Sequence, residues 1–192
     1  GASAAPFTVV PSPTTLSNTS FMLNAMDADF RYPQNFKLNA AVEYSWNNGW
    51  RANFEALYTK TIHSARFRNI AIAPTGEYLP LVEGAAAAEK SLPLFSRTTN
   101  DYSAIYYMQN TSKGYSYALS AELSKVFDFG LTLSAAYTFS HAYSVSDIPS
   151  TSSSTNWTRG YALDLNSEEL AHSAYDMPHK LSLVASYHKR YA

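Results

Sequence analysis

The stretch YSYALSAELSKVFDFGLTLSAAYTFSHAY, residues 115–143, decides the fold. On its way in, Tyr115, Tyr117, Leu119, Ala121, Leu123 and Phe127 hold every second position, interrupted only by Lys125. Between them stand Ser116, Ala118, Ser120, Glu122 and Ser124. After Asp128-Phe129-Gly130 the pattern restarts, with Leu131, Leu133, Ala135, Tyr137, Phe139 and Tyr143 set against Thr132, Ser134, Ala136, Thr138 and Ser140. Side chains of a strand alternate between its two faces, so a period of two predicts a β-hairpin with one apolar face. Its other face is small and hydroxylic.

A half-buried soluble strand alternates in the same way, so length and the chemistry of the polar face have to separate the two classes. A transmembrane β-strand needs about 9–11 residues, aromatic bands at both interfaces and a polar lumen side, and the hairpin meets all three. A second hairpin repeats the design. Phe36, Leu38, Ala40, Val42, Tyr44 and Trp46 face one way, against Lys37, Asn39, Ala41, Glu43 and Ser45. Trp50, Ala52, Phe54, Ala56, Tyr58 and Ile62 return after Asn47-Asn48-Gly49.

The turns fix register. A two-residue loop would pair apolar Trp46 with polar Arg51, and a one-residue slip exchanges the faces of a whole strand. A three-residue loop with Gly49 in the left-handed conformation pairs Trp46 with Trp50, Tyr44 with Ala52 and Val42 with Phe54. By the same rule Asp128-Phe129-Gly130 pairs Phe127 with Leu131 and Leu123 with Ala135. The other connections are long, over residues 74–100 and 145–175. Tight turns on one side and long loops on the other match the periplasmic and extracellular rims of an outer-membrane barrel.

A last strand, His179–Tyr191, puts Leu181, Leu183, Ala185 and Tyr187 on the lipid-type face, with Val184 an exception among the polar positions. With Phe36–Trp46, Trp50–Ile72, Tyr102–Val126 and Leu131–Ser144 this makes five long strands. The expected fold is an all-β antiparallel up-and-down meander. An odd strand count leaves two edges that cannot meet antiparallel, so the meander is part of a transmembrane barrel. Residues 1–30 form a lead-in, with Phe21–Phe30 ambiguous between strand and irregular chain, and 31–192 form the partial barrel domain. Leu119, Leu123, Leu133, Ala135, Leu183 and Phe54 are expected on one face, and Glu43, Glu55 and Glu122 on the other.

Composition narrows the function. The chain has 192 residues, a formal net charge of −1 and only 15% charged residues, which removes the basic footprint of nucleic-acid binding. It has no cysteine, hence neither a disulfide framework nor a thiolate metal site. No apolar run is long enough for a transmembrane helix, and residues 1–6 lack the basic start and apolar run of a signal peptide. A first residue of Gly suggests a piece of a longer protein.

Several runs resemble the barrel of TonB-dependent outer-membrane receptors, most closely the large adhesin-like (Oar-type) branch. They are Phe30-Arg31-Tyr32-Pro33-Gln34, Asn47-Asn48-Gly49-Trp50, Glu55-Ala56-Leu57-Tyr58-Thr59-Lys60 and Asn110-Thr111-Ser112-Lys113-Gly114-Tyr115-Ser116. Lys125–Leu131, Ala136–Ser140 and Ser173-Ala174-Tyr175-Asp176-Met177-Pro178-His179-Lys180 complete the ordered set over roughly residues 28–192. The resemblance implies a 22-stranded barrel, of which this chain would be about a quarter. It also implies an N-terminal plug domain, outer-membrane lipid around the barrel, and TonB-driven import of a bulky nutrient such as an oligosaccharide, peptide or chelate. The competing class is a soluble β-domain acting as a carbohydrate-binding or adhesion module.

Loop aromatics Tyr78, Phe95, Trp157, Tyr161 and Tyr175 are the candidate ligand contacts, either as a stacking platform or simply packed against one another. His63, His141, His172, His179 and His188 show no helical ligand spacing, so no metal ligand is assigned among them. Glu43, Glu55 and Glu122 come with neither a nucleophile elbow nor a Ser–His–Asp order, and are expected to line a solvated lumen wall. No cofactor and no enzymatic activity are expected.

Overall fold

Period-two patterning over long stretches yields a largely antiparallel sheet in the computed structural model, which describes residues 21–80, 91–160 and 162–189. In chain order the strands are β1 (Phe21–Met26), β2 (Gln34–Ser45), β3 (Trp50–Asn69), β4 (Ile72–Pro80), β5 (Ser91–Arg97), β6 (Tyr102–Thr111), β7 (Gly114–Val126) and β8 (Leu131–Ser144). A short helix, α1 (Ser153–Thr158), then precedes β9 (Ala171–His172) and β10 (His179–Tyr187).

The meander follows the expected path. Strand β2 pairs with β3, β3 with β7, β7 with β8 and β8 with β10, all antiparallel. The registers are those the turns dictate. Tyr44 lies opposite Ala52, Val42 opposite Phe54, and Leu123 opposite Ala135. The Trp46 N–H reaches the Trp50 carbonyl at 2.8 Å, and the Phe127 N–H reaches that of Leu131 at 2.8 Å. Among the described residues β2 and β10 have no further strand partner, so the sheet is an open segment of a barrel wall.

Register fixes both faces. Tyr44, Ala52, Leu123, Ala135 and Leu183 form one cross-strand row, and Val42, Phe54, Ala121, Tyr137 and Leu181 form the next. One residue along, Glu43, Asn53, Glu122, Ala136 and Ser182 make a polar row on the opposite face, as do Ala41, Glu55, Ser120, Thr138 and Lys180. Among the described residues no layer covers the apolar rows. Val42, Leu181 and Leu183 are 69%, 69% and 70% exposed, and among the described residues the buried apolar ones are only Ala52, Ala65, Ala71, Ala104 and Tyr106. A water-soluble sheet buries the face that this one presents outward.

Three features depart from the sequence expectation. The expected strand Tyr102–Val126 is two segments on one line, β6 and β7, broken at Ser112-Lys113; both pair with β3. The ambiguous Phe21–Phe30 contains β1, which lies parallel to β6. The cause is geometric. Strand β8 ends at Ser144 opposite Gly114, so the neighbouring edge of β6 has no continuing partner, and β1 fills it. The chain then crosses to β2 through Arg31, whose N–H donates to Asn110 Oδ1 (2.6 Å) and whose carbonyl accepts from Asn110 Nδ2 (2.8 Å). Finally, the described parts of the 74–100 connection form a two-stranded ribbon, β4–β5, with Pro74 opposite Phe95 and Tyr78 opposite Pro93. Residues 81–90 of this connection, which include the alanine run Ala85–Ala88, lie outside the described residues.

Candidate functional site

A chemically distinct surface is the apolar face itself. At the tight-turn rim stand Trp46, Trp50, Phe127 and Phe129, and the Lys125 ammonium lies 5.4 Å from the Trp50 ring and 5.7 Å from that of Phe127. Lys125 Nζ also donates to the Asn48 carbonyl. The break in the alternation of β7 is thus a lysine whose stem lies along the apolar face while its head reaches the rim. At the other end Tyr115 stacks on Tyr143 at 4.9 Å, and Phe139 and His141 continue the ring ladder to Tyr117.

These two girdles have the spacing of a bilayer. Trp50 opposes Lys125 and Lys60 opposes Tyr115, ten steps further along the same strand pair. At about 3.4 Å per residue and a tilt of about 40°, ten steps rise roughly 26 Å, against an apolar band about 25 Å tall. One row in from Trp50 and Lys125 lie Leu123, Ala135 and Leu183, which with Leu133 and Ala185 of the Trp50–Lys125 row line a groove of about 460 Å³.

The opposite face is polar and satisfied. Glu43 pairs with Arg51 (3.3 Å), Glu55 accepts from Asn39 Nδ2 (2.9 Å), and Glu122 accepts from the Ser134 hydroxyl (2.8 Å). Each carboxylate has its own partner, an arrangement suited to a hydrated lumen wall rather than to paired acid–base chemistry.

The described candidate loop aromatics fall on three separate elements. Tyr78 and Phe95 sit on the β4–β5 ribbon, Tyr175 is exposed in the turn before β10, and Trp157 lies on α1. Tyr161 lies outside the described residues. The Trp157 ring packs against Tyr106 at 5.7 Å and its indole N–H donates to Asn166 Oδ1 at 3.0 Å. Asn166 is the pin of this loop. Its Oδ1 also accepts from the Asn69 N–H (2.8 Å), its Nδ2 donates to the Asn69 carbonyl (2.9 Å), and its own carbonyl accepts from Arg66 (2.6 Å). Glu168 adds ion pairs to Arg66 and Lys113 at 3.7 and 3.8 Å.

Asn166→Ala removes the side-chain bonds and leaves buried partners on Asn69 unmatched, a cost of about 1–3 kcal/mol confined to the loop. Limited proteolysis between residues 145 and 170 is expected to accelerate about tenfold or more, with the barrel's heat-modifiable gel mobility unchanged. An unchanged cleavage rate would show that the pin is dispensable.

A constellation missed by sequence spacing sits where β8 meets the chain entering β10. The ligand atoms of His141, His172 and Asp176 all lie within 4.8 Å of one another. Asp176 Oδ2 is 3.2 Å from His141 Nδ1 and 2.7 Å from His172 Nδ1, and its Oδ1 accepts from the Ala142 N–H at 2.8 Å. Burial pushes the Asp176 carboxyl up, but the hydrogen bonds from Ala142, His172 and His141 outweigh it and hold the group below the usual aspartate value. The only trace in the sequence is the four-residue spacing of His172 and Asp176. His141 joins them through β8–β9 pairing, which local periodicity does not show.

An open antiparallel sheet with one lipid-matched apolar belt, one polar wall, tight turns at one rim and long tied loops at the other defines a segment of an outer-membrane β-barrel. Comparison with known families agrees: the family described as "Outer membrane beta barrel domain" matches residues 1–190, and the chain belongs to it. Its place is the bacterial outer membrane. No curated protein and no solved structure was found to match the chain.

Proposed function

We propose that this chain forms part of the barrel wall and outer loops of a TonB-dependent receptor that imports a bulky nutrient, an oligosaccharide, peptide or chelate. The observation that carries this reading is the unequal treatment of the two rims. Tight three-residue turns close one rim, while at the other the 145–175 connection is folded, pinned through Asn166 and Glu168, and presents aromatic side chains such as Tyr175. Loops held in place on a rigid scaffold are where recognition is built. In this reading the polar wall with Glu43, Glu55 and Glu122 faces a plug domain, TonB supplies the energy, and the chain has no catalytic role.

The test is uptake by cells expressing the parent protein, supplied in turn with oligosaccharides, peptides and metal chelates as sole source of an essential element. Growth on one class is expected to require both the parent gene and TonB. Growth that needs the gene but proceeds at an unchanged rate without TonB would replace this reading with a passive pore.

A further inference from the structure

We propose that His141, His172 and Asp176 form a binding site for a divalent transition-metal ion of the zinc class, clasping the outer ends of β8 and β10. Two imidazoles and one carboxylate, with no cysteine in the chain, form an N₂O donor set. Such a set suits zinc and its first-row neighbours, whereas calcium and magnesium prefer all-oxygen shells. It leaves at least one coordination position for water.

The geometry is close to what loading requires. A tetrahedral ion with bonds of about 2.0–2.1 Å places its ligand atoms about 3.3 Å apart. The two nitrogen–oxygen separations here are 3.2 and 2.7 Å and no pair of ligand atoms is more than 4.8 Å apart, so loading needs His172 to draw back from Asp176 by roughly half an ångström and the two rings to settle at tetrahedral distance. With both rings neutral, loading moves each ring proton from Nδ1 to Nε2 through solvent and consumes nothing else.

The supporting groups are those of a built site. The Asp176 side chain is only 8% exposed and its second oxygen is fixed by the Ala142 amide, an outer-shell bond of the kind that orients metal ligands. The Tyr143 ring lies 4.6 Å from that of His172, and Phe139 lies 5.2 Å from His141, restricting both imidazoles. His172 is 59% exposed, which gives an ion an entry path from the outer side. The ion would cross-link strand β8, strand β9 and the turn into β10, the open edge of the described sheet. None of this depends on what the barrel imports or on TonB.

The experiment uses the full-length parent protein, folded in detergent, stripped with chelator and titrated with Co²⁺ while its visible d–d absorption is recorded, then competed with Zn²⁺. The wild type is expected to bind one more equivalent of Co²⁺ than Asp176→Asn or His172→Ala, and to release it to Zn²⁺. Losing even an outer-shell partner typically weakens a metal site 10–100-fold, so losing a direct ligand should weaken this one by at least about 100-fold. Heat-modifiable mobility reports that each variant is folded, which His172→Ala should be, since the side chain is mostly exposed. Equal stoichiometry and affinity in the wild type and the His172→Ala/Asp176→Asn double variant would overturn the proposal and leave a hydrogen-bonded turn.

Discussion

Arginine in place of Leu119 is expected to destabilise the barrel in a bilayer by about 2–4 kcal/mol, while arginine at the very next residue, Ser120, should change stability by less than about 1 kcal/mol. Leu119 lies opposite Ala56 and Phe139 on the apolar face, between the row of Trp50 and Lys125 and the row of Lys60 and Tyr115. That places it near the middle of the lipid belt, where a guanidinium has neither water nor a partner. Ser120 points to the other face. It lies opposite Glu55 and shares a hydrogen bond with Thr138 at 2.9 Å, so an arginine there gains a carboxylate neighbour in a hydrated wall. Both variants carry the same charge and adjacent backbone positions, so only the face differs. Denaturant midpoints of the parent barrel in lipid vesicles, followed by tryptophan fluorescence, measure the contrast. Equal effects at the two positions, or a larger one at Ser120, would refute the assignment of faces.

The faces and registers were legible because they rest on local rules. Alternation in Phe36–Trp46 and in residues 115–143 survives to the structure because each strand has one side in lipid and one in water. The three-residue turns left a single register that keeps the faces intact, and Tyr44 and Ala52, or Leu123 and Ala135, pair accordingly. Lys125 breaks the alternation only on paper; its position at the tight-turn rim explains it. What stayed hidden depends on distant partners. Phe21–Met26 becomes a strand because β8 stops at Ser144 and bares an edge of β6, a circumstance that no pattern within those six residues encodes. The β4–β5 ribbon is concealed by Pro74 and Pro93, which disguise an irregularly paired two-stranded arm as loop.

The loops follow the same division. Trp157 was a visible candidate because it is a large aromatic in a polar tract, but its partners, Tyr106 and Asn166, are set by how the tract folds back on β3 and β6. His141 and Asp176 are 35 residues apart in sequence and meet through β8 and the turn before β10. Period-two reasoning places His141 correctly on the aromatic ladder and is silent about what lies beside it. Chemistry in such a barrel is assembled between strands and loops, whereas the patterning that reveals the fold is written along single strands.

The tight turns give the second large effect. Gly130→Ala is expected to cost about 2–3 kcal/mol, and Gly76→Ala only about 1–2 kcal/mol. Both glycines have positive φ, +94° and +83°, so an added Cβ meets the same backbone penalty at each. The surroundings differ. Nothing lies within 4 Å of a Cβ at Gly76, whereas one at Gly130 falls on the backbone carbonyl of His188, well inside van der Waals contact. Backbone cannot swing aside as a side chain does. The Gly130 carbonyl also accepts the His188 N–H at 2.9 Å, so displacing the turn loses the bond that ties the β7–β8 turn to the end of β10. Gly49 repeats the arrangement: its carbonyl accepts the Val126 N–H at 2.9 Å, and a Cβ would lie 2.5 Å from the Val126 carbonyl oxygen. Each tight turn therefore holds the end of a neighbouring strand as well as joining its own two. Denaturant midpoints of the two variants, with Gly49→Ala beside them, should rank Gly76 as the mildest. A Gly76 variant at least as unstable as the Gly130 variant would show that conformation alone, and not the close approach of the next strand, selects glycine in these turns.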